Sequence, residues 1–481
     1  YVFQNEKDLP EESGFFYSVG MSFCRFLNSF SSDYYSSGDN KNTEHLQVWV
    51  NRSRLYIELM QKMVDDDFFE KHNNKTDVVT IPLKFFDGMV GEHPLNYKFK
   101  GRSRVVDLNE EWSFIQLSMS SAFFKNEQIK KLKFDYRLAY AEDAKLIQRI
   151  LLEKQTMGIL PKAAYMYRRR TAGEESAIQR SYSSPAWYLP YMKYFQQEIL
   201  NYALEKCGEV PRFIQYTLVY DLQWRIKKPE LPFELLTEDE IKEYTQLVIS
   251  SLKHIDDDII MAQKNMFREH KIFAMRLKYA QEPEVLKAKN DLIYKFSDDA
   301  QFKFSKCRVN VEFINVKDNA LELEGFIPIY NLPFNKMQIS VSVNGKTMPC
   351  EHIERDRNTT AWGKEISKIY GFSAKIPLDD CKKYNVTVIV NIDGHEVRLS
   401  RLSLKYFAPL SASFKYSYCQ KENWIISADK NIIHLRKTTI VRKIARELKL
   451  LAELFIRNTY GGRQAVFTRL YVRLYKFLKR K

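Results

Sequence analysis

The sequence predicts a mixed α/β fold followed by a helical region, a small antiparallel β-sandwich and a basic C-terminal helical tail. Three changes of pattern predict this order. Apolar strand-like runs first alternate with a helical pattern, which is typical of α/β layers. Apolar residues then recur at helical spacing, and later they alternate with polar residues, as in half-buried strands. These changes divide the chain into four predicted segments: 1–184, 185–302, 303–410 and 411–481.

The first segment contains the clearest alternation of strands and helices. Residues 77–86 (DVVTIPLKFF) and 113–124 (SFIQLSMSSAFF) predict buried strands rich in β-branched and aromatic residues. A helical pattern begins at Glu142 and Asp143, and residues 157–170 (MGILPKAAYMYRRR) predict a short strand that leads into a polar turn. The sequence therefore places one helix between neighbouring strands.

The later segments carry recognisable stop and start residues. Gly208 suits the position after a helix C-terminus, and Thr237 with Glu240 forms a capping-box pattern before an apolar stretch. In the third segment, Asn344-Gly345 and Asp393-Gly394 predict tight hairpins, because both residue pairs favour the positive φ angles of such turns.

Composition favours a folded, reduced protein of several domains. The chain has 481 residues, of which 45% are hydrophobic, and its six cysteines lie far apart without metal-finger spacing. No apolar run approaches the roughly 18 to 20 residues that span a bilayer. We therefore expect a cytoplasmic protein that is soluble or peripheral. Because the sequence begins with Tyr1 in mid-pattern, we also expect a fragment without its N-terminal nucleotide-binding half.

Positive charge is concentrated in the tail. Residues 430–481 contain fifteen Lys and Arg against two Glu, whereas the whole chain has a net charge of +15. One interpretation is an amphipathic helix on the anionic inner face of the cell membrane. The other is a connector to a further domain. Nucleic-acid binding is disfavoured, because no basic-aromatic module accompanies the charge.

Two carboxylates, Glu142 and Asp143, stand at the start of the helical pattern. An acidic residue there can cap the helix, since it accepts hydrogen bonds from free amides and suits the positive helix end. A carboxylate at the end of an α/β layer can also act as a general base. The pair alone leaves both interpretations open.

A second cluster of polar residues follows about 25 positions later. It contains Tyr165, Tyr167, Arg168, Arg170 and Ser176. A strand that leads into a Tyr-Arg-x-Arg turn would bring guanidinium groups to the sheet edge where the carboxylates lie, and ligand sites form at such edges. Arginine offers a fork of donors for phosphate oxygens. The alternative is that these arginines form a solvated turn.

In combination, these motifs resemble the second half of an inverting family-2 glycosyltransferase with the GT-A fold. The resemblance covers about residues 62–228 and includes the Glu-Asp pair, the Tyr-x-Tyr-Arg-x-Arg motif and Tyr-Asp-Leu-Gln-Trp (residues 220–224). It is strongest to the type found in bacterial teichoic acid and capsule synthesis, which is often fused to a CDP-glycerol glycerophosphotransferase. The resemblance implies a partial GT-A mixed sheet and, after the tail, a missing C-terminal phosphotransferase domain.

The resemblance also implies roles for the acidic pair and the arginines. Asp143 would be the general base that deprotonates the acceptor hydroxyl, and Glu142 would orient or bind the acceptor. Arg168 and Arg170 would stabilise the leaving nucleoside diphosphate.

Four further residues are candidates for substrate contacts. Tyr167 and Ser176 belong to the Tyr-Arg cluster, and His93 and Asn96 occupy the loop GEHPLNYKF, from which they could face the sugar or diphosphate. The alternative for this loop is a purely structural role.

The family also implies a divalent cofactor, Mn²⁺ or Mg²⁺, held by an Asp-x-Asp motif upstream of the Glu-Asp pair. No such motif is identifiable, because Asp65, Asp66 and Asp67 stand where the family has the following helix and favour a solvated acidic turn. The metal ligands are therefore unknown.

Two functional hypotheses result. The first is a glycosyltransferase that transfers a sugar from a nucleotide-sugar donor to a hydroxyl of a cell-wall or capsular precursor, a polyol-phosphate or polysaccharide. The alternative is a non-catalytic, membrane-peripheral scaffold or polymer-binding module of a polymer-synthesis complex.

Overall fold

The computed structural model divides the chain into two compact units: residues 1–281 with 361–363, and residues 282–360 with 364–481. It describes residues 68, 71–72, 74–169, 181–330, 336–355, 358–379, 381–404, 418–421, 423–439, 441 and 445.

The first unit contains two small sheets of mixed direction. Its strands are β1 (Val78–Thr80), β2 (Leu83–Asp87), β3 (Gly91–Glu92), β4 (Arg104–Asp107), β5 (Ala122–Phe124), β6 (Thr156–Ile159) and β7 (Tyr165–Arg169). The four-stranded sheet has the order β4-β6-β1-β5, with β1 parallel to β6 and antiparallel strands at both edges. The three-stranded sheet has the order β3-β2-β7, with β2 parallel to β7. The predicted mixed α/β class is confirmed for this unit.

The predicted strand over residues 77–86 is in fact two strands in different sheets. The break lies at Pro82, which has no amide hydrogen to donate to a ladder. Its carbonyl accepts a hydrogen bond from the Tyr165 amide at 2.7 Å, so the chain passes from one sheet to the other here.

The second predicted strand, over residues 113–124, is wrong for most of its length. Only β5 is a strand, and a 3₁₀ turn, Met119–Ser121, comes directly before it. The hydroxyls of Ser118 and Ser120 bond to each other at 2.7 Å, which is the local pairing that draws serine out of regular strands.

Helices supply most of the remaining first unit. They are α1 (Asn126–Lys131), α2 (Glu142–Lys154), α3 (Leu189–Tyr191), α4 (Glu198–Cys207), α5 (Arg212–Ile226), α6 (Glu238–Lys253), α7 (Asp257–Ala262) and α8 (Arg268–Tyr279), with a π-helical stretch, Met192–Gln197, between α3 and α4. The predicted helix ends are confirmed: Gly208 has φ = 77° after α4, and both hydrogen bonds of the Thr237–Glu240 capping box are formed.

The second unit is built of strands. A three-stranded sheet contains β8 (Glu284–Ala288), β9 (Asp291–Lys295) and β10 (Gln301–Lys303). A six-stranded sheet contains β11 (Arg308–Lys317), β12 (Ala320–Ile329), β15 (Glu351–Ile353), β16 (Thr359–Ala361), β17 (Lys364–Pro377) and β20 (Arg401–Leu404). A seven-stranded sheet contains β13 (Met337–Val343), β14 (Lys346–Pro349), β18 (Lys383–Ile392), β19 (His395–Arg398), β21 (Tyr418–Lys421), β22 (Trp424–Asp429) and β23 (Ile432–Lys437).

The predicted period of two is present in the larger sheets. Side chains of β12 and β13 alternate between buried and more exposed positions. The hairpins at Asn344-Gly345 and Asp393-Gly394 are confirmed, and all four residues have positive φ.

Two stretches that were predicted to be helical are strands instead. Residues 284–303 form β8 to β10, and within them Leu292 and Tyr294 are buried at a spacing of two. Residues 418–437, predicted as the start of a helical tail, form β21 to β23 and extend the sheet next to β18. The basic residues Arg436 and Lys437 obscured a strand whose inner face is Ile433 and Leu435. Most of the predicted tail lies outside the described residues.

In the described part of the chain, no helix has both the length and the apolar character needed to cross a bilayer.

Candidate functional site

Asp143 lies in the first turn of α2 but does not cap that helix. The residue at the N-cap position is Ala141, which has a left-handed conformation and no capping side chain. Asp143 is half-buried, and its Oδ2 accepts a hydrogen bond from the Met119 amide at 3.2 Å. The interpretation of Asp143 as an N-cap is therefore wrong, because this carboxylate oxygen bonds to another element, the Met119–Ser121 turn.

The same turn contacts the Tyr-Arg strand. Ser120 also interacts with the Tyr165 side chain at the start of β7: burial raises the pKa of the Tyr165 phenol, and the smaller effect of Ser120 lowers it. The turn thus contacts both the Asp143 carboxylate and the Tyr165 side chain. This relationship connects Asp143 with the strand on which the Tyr-x-Tyr-Arg motif begins.

Buried polar side chains form hydrogen bonds with the Met119–Ser121 turn and with the residue before it. Gln116 donates to the Ser118 carbonyl at 2.7 Å and to the Ser121 hydroxyl at 2.9 Å. The Gln116 side-chain oxygen accepts from Lys98 at 2.8 Å, and its backbone carbonyl accepts from Gln148 of α2 at 2.8 Å. The network therefore connects the turn with the helix that carries Asp143.

Lys98 is the titratable member of this network. Its side chain is fully buried, and this burial lowers its pKa to about 7. No pattern in the sequence singled out Lys98 or Gln116. The one available signal was Gln116 itself, a polar residue in the middle of an otherwise apolar run.

Tyr167 lies on β7 next to an aromatic cluster. In the parallel pairing of β2 and β7 it stands opposite Phe85, and the two rings meet edge to face at 5.9 Å. Phe85 also contacts the His93 ring at 5.7 Å. Three rings from a strand pair and the following loop therefore form one group.

His93 and Asn96 both have structural roles in this loop. The Nδ1 atom of His93 accepts from the Leu95 amide at 3.2 Å and caps the 3₁₀ helix Pro94–Phe99. Burial, with a smaller effect of Lys98, lowers the pKa of His93 to about 4. The Asn96 amide accepts from the Leu83 backbone N–H at 3.2 Å and donates to the Leu83 carbonyl at 2.9 Å. These bonds hold the start of β2.

Glu142 lines a cavity of about 190 Å³ beside α2. An ion-pair cluster forms part of its wall: Lys145 bonds to Asp135 and to Glu198, each at 2.5 Å. Arg137 and Lys145 hold the pKa of the Asp135 carboxyl well below its usual range. No spacing in the sequence indicated this cluster, since its acidic members come from a loop and from α4.

Two predicted site residues cannot be placed. Arg170 and Ser176 lie outside the described residues. Of Arg168 only the backbone is described; it lies in β7, paired with Phe86 of β2. The acidic residues Asp65, Asp66 and Asp67 also lie outside. Within the described ranges, no group of three or more His, Cys, Asp or Glu is arranged to hold a metal ion. The described side chains therefore do not provide the implied metal site.

The Tyr-Asp-Leu-Gln-Trp motif lies on α5 and precedes a buried arginine. The Arg225 guanidinium stacks over Trp187 at 4.0 Å and over Tyr191 at 3.2 Å from the ring centroids. Its Nε donates to the Trp187 carbonyl at 2.8 Å. The last turn of α5 thus anchors the segment that follows the Tyr-Arg cluster in the chain.

The chain is similar to two teichoic acid biosynthesis proteins. Over 395 residues it is 25% identical to the minor teichoic acid biosynthesis protein GgaB of Bacillus subtilis (strain 168), a match that covers 81% of this chain and 43% of GgaB. Over 320 residues it is 22% identical to the minor teichoic acid biosynthesis protein GgaA of the same organism, covering 65% of this chain and 68% of GgaA.

The chain thus spans less than half the length of GgaB. No family model matches the sequence. Both relatives' names agree with the predicted relation to teichoic acid, and neither name specifies the transfer of a sugar.

Proposed function

We propose that this chain carries the acceptor-activating part of a cell-wall polymer transferase of the GT-A, family-2 type. It would transfer a sugar from a nucleotide-sugar donor to a hydroxyl of a teichoic acid or related polymer precursor. The observation that carries the proposal is the bond between the Asp143 carboxylate and the Met119 amide, in a turn that also contacts Tyr165. The names of the two relatives support the class of product.

In this proposal Asp143 is the general base. The acceptor O–H bond breaks and its proton moves to the Asp143 carboxylate, while the acceptor oxygen forms a bond to the anomeric carbon. The bond from that carbon to the nucleoside diphosphate breaks, and the configuration inverts because attack comes from the opposite face. A positioned base contributes about 10² to 10⁴ in rate to such a step.

The geometry of Asp143 suits this role. An amide from a separate element holds one carboxylate oxygen, which restricts the rotation of the side chain, and a fixed direction lowers the entropic cost of the proton transfer. Glu142, the preceding residue, lines a cavity, so it is the candidate to position the acceptor.

Four further residues, Tyr167, Arg168, Arg170 and Ser176, belong to the proposal through the Tyr-Arg motif and the residues that follow it. Tyr167 and Ser176 would contact substrate, and the two arginines would stabilise charge on the departing diphosphate. A divalent metal, Mn²⁺ or Mg²⁺, is also part of the proposal, but its ligands are not assigned. The proposed proton transfer and sugar transfer are therefore described without it.

The proposed setting is the inner face of the cell membrane, where the basic residues of the tail would contact anionic lipid. This placement would bring the transferase next to a membrane-linked acceptor.

The first test is calorimetry of the whole chain with uridine and cytidine diphosphates and their sugar conjugates, with and without Mn²⁺. The proposal expects at least one conjugate to bind. Proton NMR of the product formed with that donor and a polyol-phosphate acceptor should then show an inverted anomeric configuration. If the complete panel fails to bind in both conditions, the transferase is excluded and the non-catalytic scaffold becomes the better hypothesis.

A further inference from the structure

A cleft of about 760 Å³ lies along β4, an edge strand of the four-stranded sheet. Residues 102–107 line the cleft, together with Thr156 at the start of β6. Lys71, His72 and Lys75, which come just before β1, also line it. The cleft therefore collects side chains from three separate parts of the first unit.

The lining is strongly basic. Four of its side chains, Lys71, Lys75, Arg102 and Arg104, are basic, and Asp107 is the one carboxylate among the described residues that line it. Arg104 is paired with Glu111 at 2.6 Å. Across the described residues, the other three cations make no ion pair. Three exposed basic side chains that form no ion pair with the described residues thus line the cleft.

The positive charge of the lining also affects His72, which lines the same cleft. Burial, Lys75 and Lys71, in that order, lower the pKa of His72. Both ammonium groups therefore act on a side chain of the cleft. A concave surface with several like charges concentrates ions of the opposite sign.

Separated cations along a cleft suit a ligand with several phosphate groups. Lysine and arginine are the usual partners of phosphate oxygens, and arginine can bind two of them at once. Among the described lining residues there is no Phe, Tyr or Trp, whereas proteins that bind single-stranded nucleic acid stack the bases on such rings. The chemistry therefore favours a phosphate polymer with an aliphatic backbone.

The cleft is distinct from the place that holds Asp143. Thr156 comes two residues after the C-terminus of α2, whereas Asp143 lies in the first turn of that helix. A helix of 13 residues is about 20 Å long at 1.5 Å per residue. An extended polymer could occupy both places, whereas a single monosaccharide could not.

We propose that this cleft binds the phosphate groups of a polyol-phosphate polymer. Binding holds the polymer on the first unit while another part of it reaches Asp143. The use of the bound polymer as an acceptor rests on the proposed function, but the binding itself does not.

The test is the affinity of the full chain for fluorescently labelled poly(glycerol phosphate), measured by anisotropy over a series of salt concentrations. The double variant Lys75→Glu/Arg102→Glu should bind about tenfold or more weakly at low salt, with a shallower salt dependence, because fewer counterions are released. The matched control is Lys130→Glu/Lys162→Glu, which reverses two exposed lysines of the same unit that do not line the cleft. This control should keep the wild-type affinity within about twofold.

Two comparisons keep the result interpretable. Circular dichroism melting checks the fold, and the milder Lys75→Gln/Arg102→Gln variant should show a smaller loss of affinity in the same direction. Asp143→Asn should bind the polymer like the wild type, so a failure of the catalytic proposal leaves this one standing. Equal loss in the control double variant would overturn the proposal. Oligo-dT or anionic vesicles that bind as tightly as the polymer, with the same dependence on Lys75 and Arg102, would also overturn it.

Discussion

The Asp143 carboxylate accepts a hydrogen bond from the Met119 amide at 3.2 Å, although the two residues are 24 positions apart in the chain. This bond links the carboxylate at the start of α2 to the turn before β5. Because Ser120 of that turn also interacts with the Tyr165 side chain, the turn connects Asp143 with the Tyr-Arg strand.

The first prediction concerns this connection. Tyr165→Phe removes the hydroxyl that interacts with Ser120, and it should lower kcat several-fold while leaving the KM for the donor unchanged. The free energy of unfolding should fall by at most about 1 kcal/mol, because a single polar side-chain interaction is lost. Steady-state kinetics and urea unfolding measure the two effects separately.

Tyr202→Phe is the matched control, since its hydroxyl bonds to Glu153 near the other end of α2. A Tyr165→Phe enzyme with unchanged kcat would show that the turn does not position the base.

The second prediction concerns Asn96. Asn96→Leu removes both bonds to the Leu83 backbone; the Leu83 carbonyl still accepts from the His93 amide at 3.1 Å, but the buried Leu83 N–H loses its partner. The free energy of unfolding should fall by about 1 to 3 kcal/mol, the cost of one buried unpaired group. Asn109→Leu, at an exposed position of the same unit, should be close to neutral in the same urea titration.

The third prediction is a pH dependence of stability that originates at Lys98. In the folded chain burial lowers its pKa to about 7, whereas the ordinary value is 10.5. Between these values the unfolded state binds more protons than the folded state, so the free energy of unfolding should rise with pH from about 7 to 10. One such group contributes at most about 1.4 kcal/mol per pH unit.

Lys98→Met should remove this contribution and flatten the rise, whereas Lys130→Met, at an exposed position, should leave it unchanged. Urea unfolding at a series of pH values checks both. The assignment fails if the wild type and Lys98→Met have parallel profiles.

The local signals of the sequence predicted the structure well where one residue decides the conformation. The capping box at Thr237, the αL residue Gly208 and the Asn-Gly and Asp-Gly hairpins all formed as expected. Each depends on a hydrogen bond or a φ angle within a few residues, so no distant contact was needed to predict it.

The failures have a different origin. The run over residues 113–124 has strand composition, but Ser118 and Ser120 bond locally, and Gln116 bonds to a lysine that no spacing pattern singles out. In β23 the charged residues at the strand end obscured the alternation of Ile433 and Leu435. Contacts with residues distant in the sequence determine the conformation of these two stretches. A pattern of neighbouring residues carries no information on such contacts.

The candidate site was predictable in part. The acidic pair and the Tyr-Arg strand were recognised, and the structure places Asp143 and Tyr165 at the same turn. The turn itself was missed, as was the cation-lined cleft, because its residues come from three separate segments.

The most direct measurement of the central claim is the turnover number of Asp143→Asn with the donor identified by calorimetry. Glu153→Gln is the matched control, since it makes the same carboxylate-to-amide change at an exposed position near the other end of α2. Asparagine keeps an oxygen that can accept from the Met119 amide, so the melting temperature should change little. We expect kcat to fall by about 10² to 10⁴ in Asp143→Asn and to stay at the wild-type value in Glu153→Gln. Wild-type turnover in Asp143→Asn would contradict the assignment of the base.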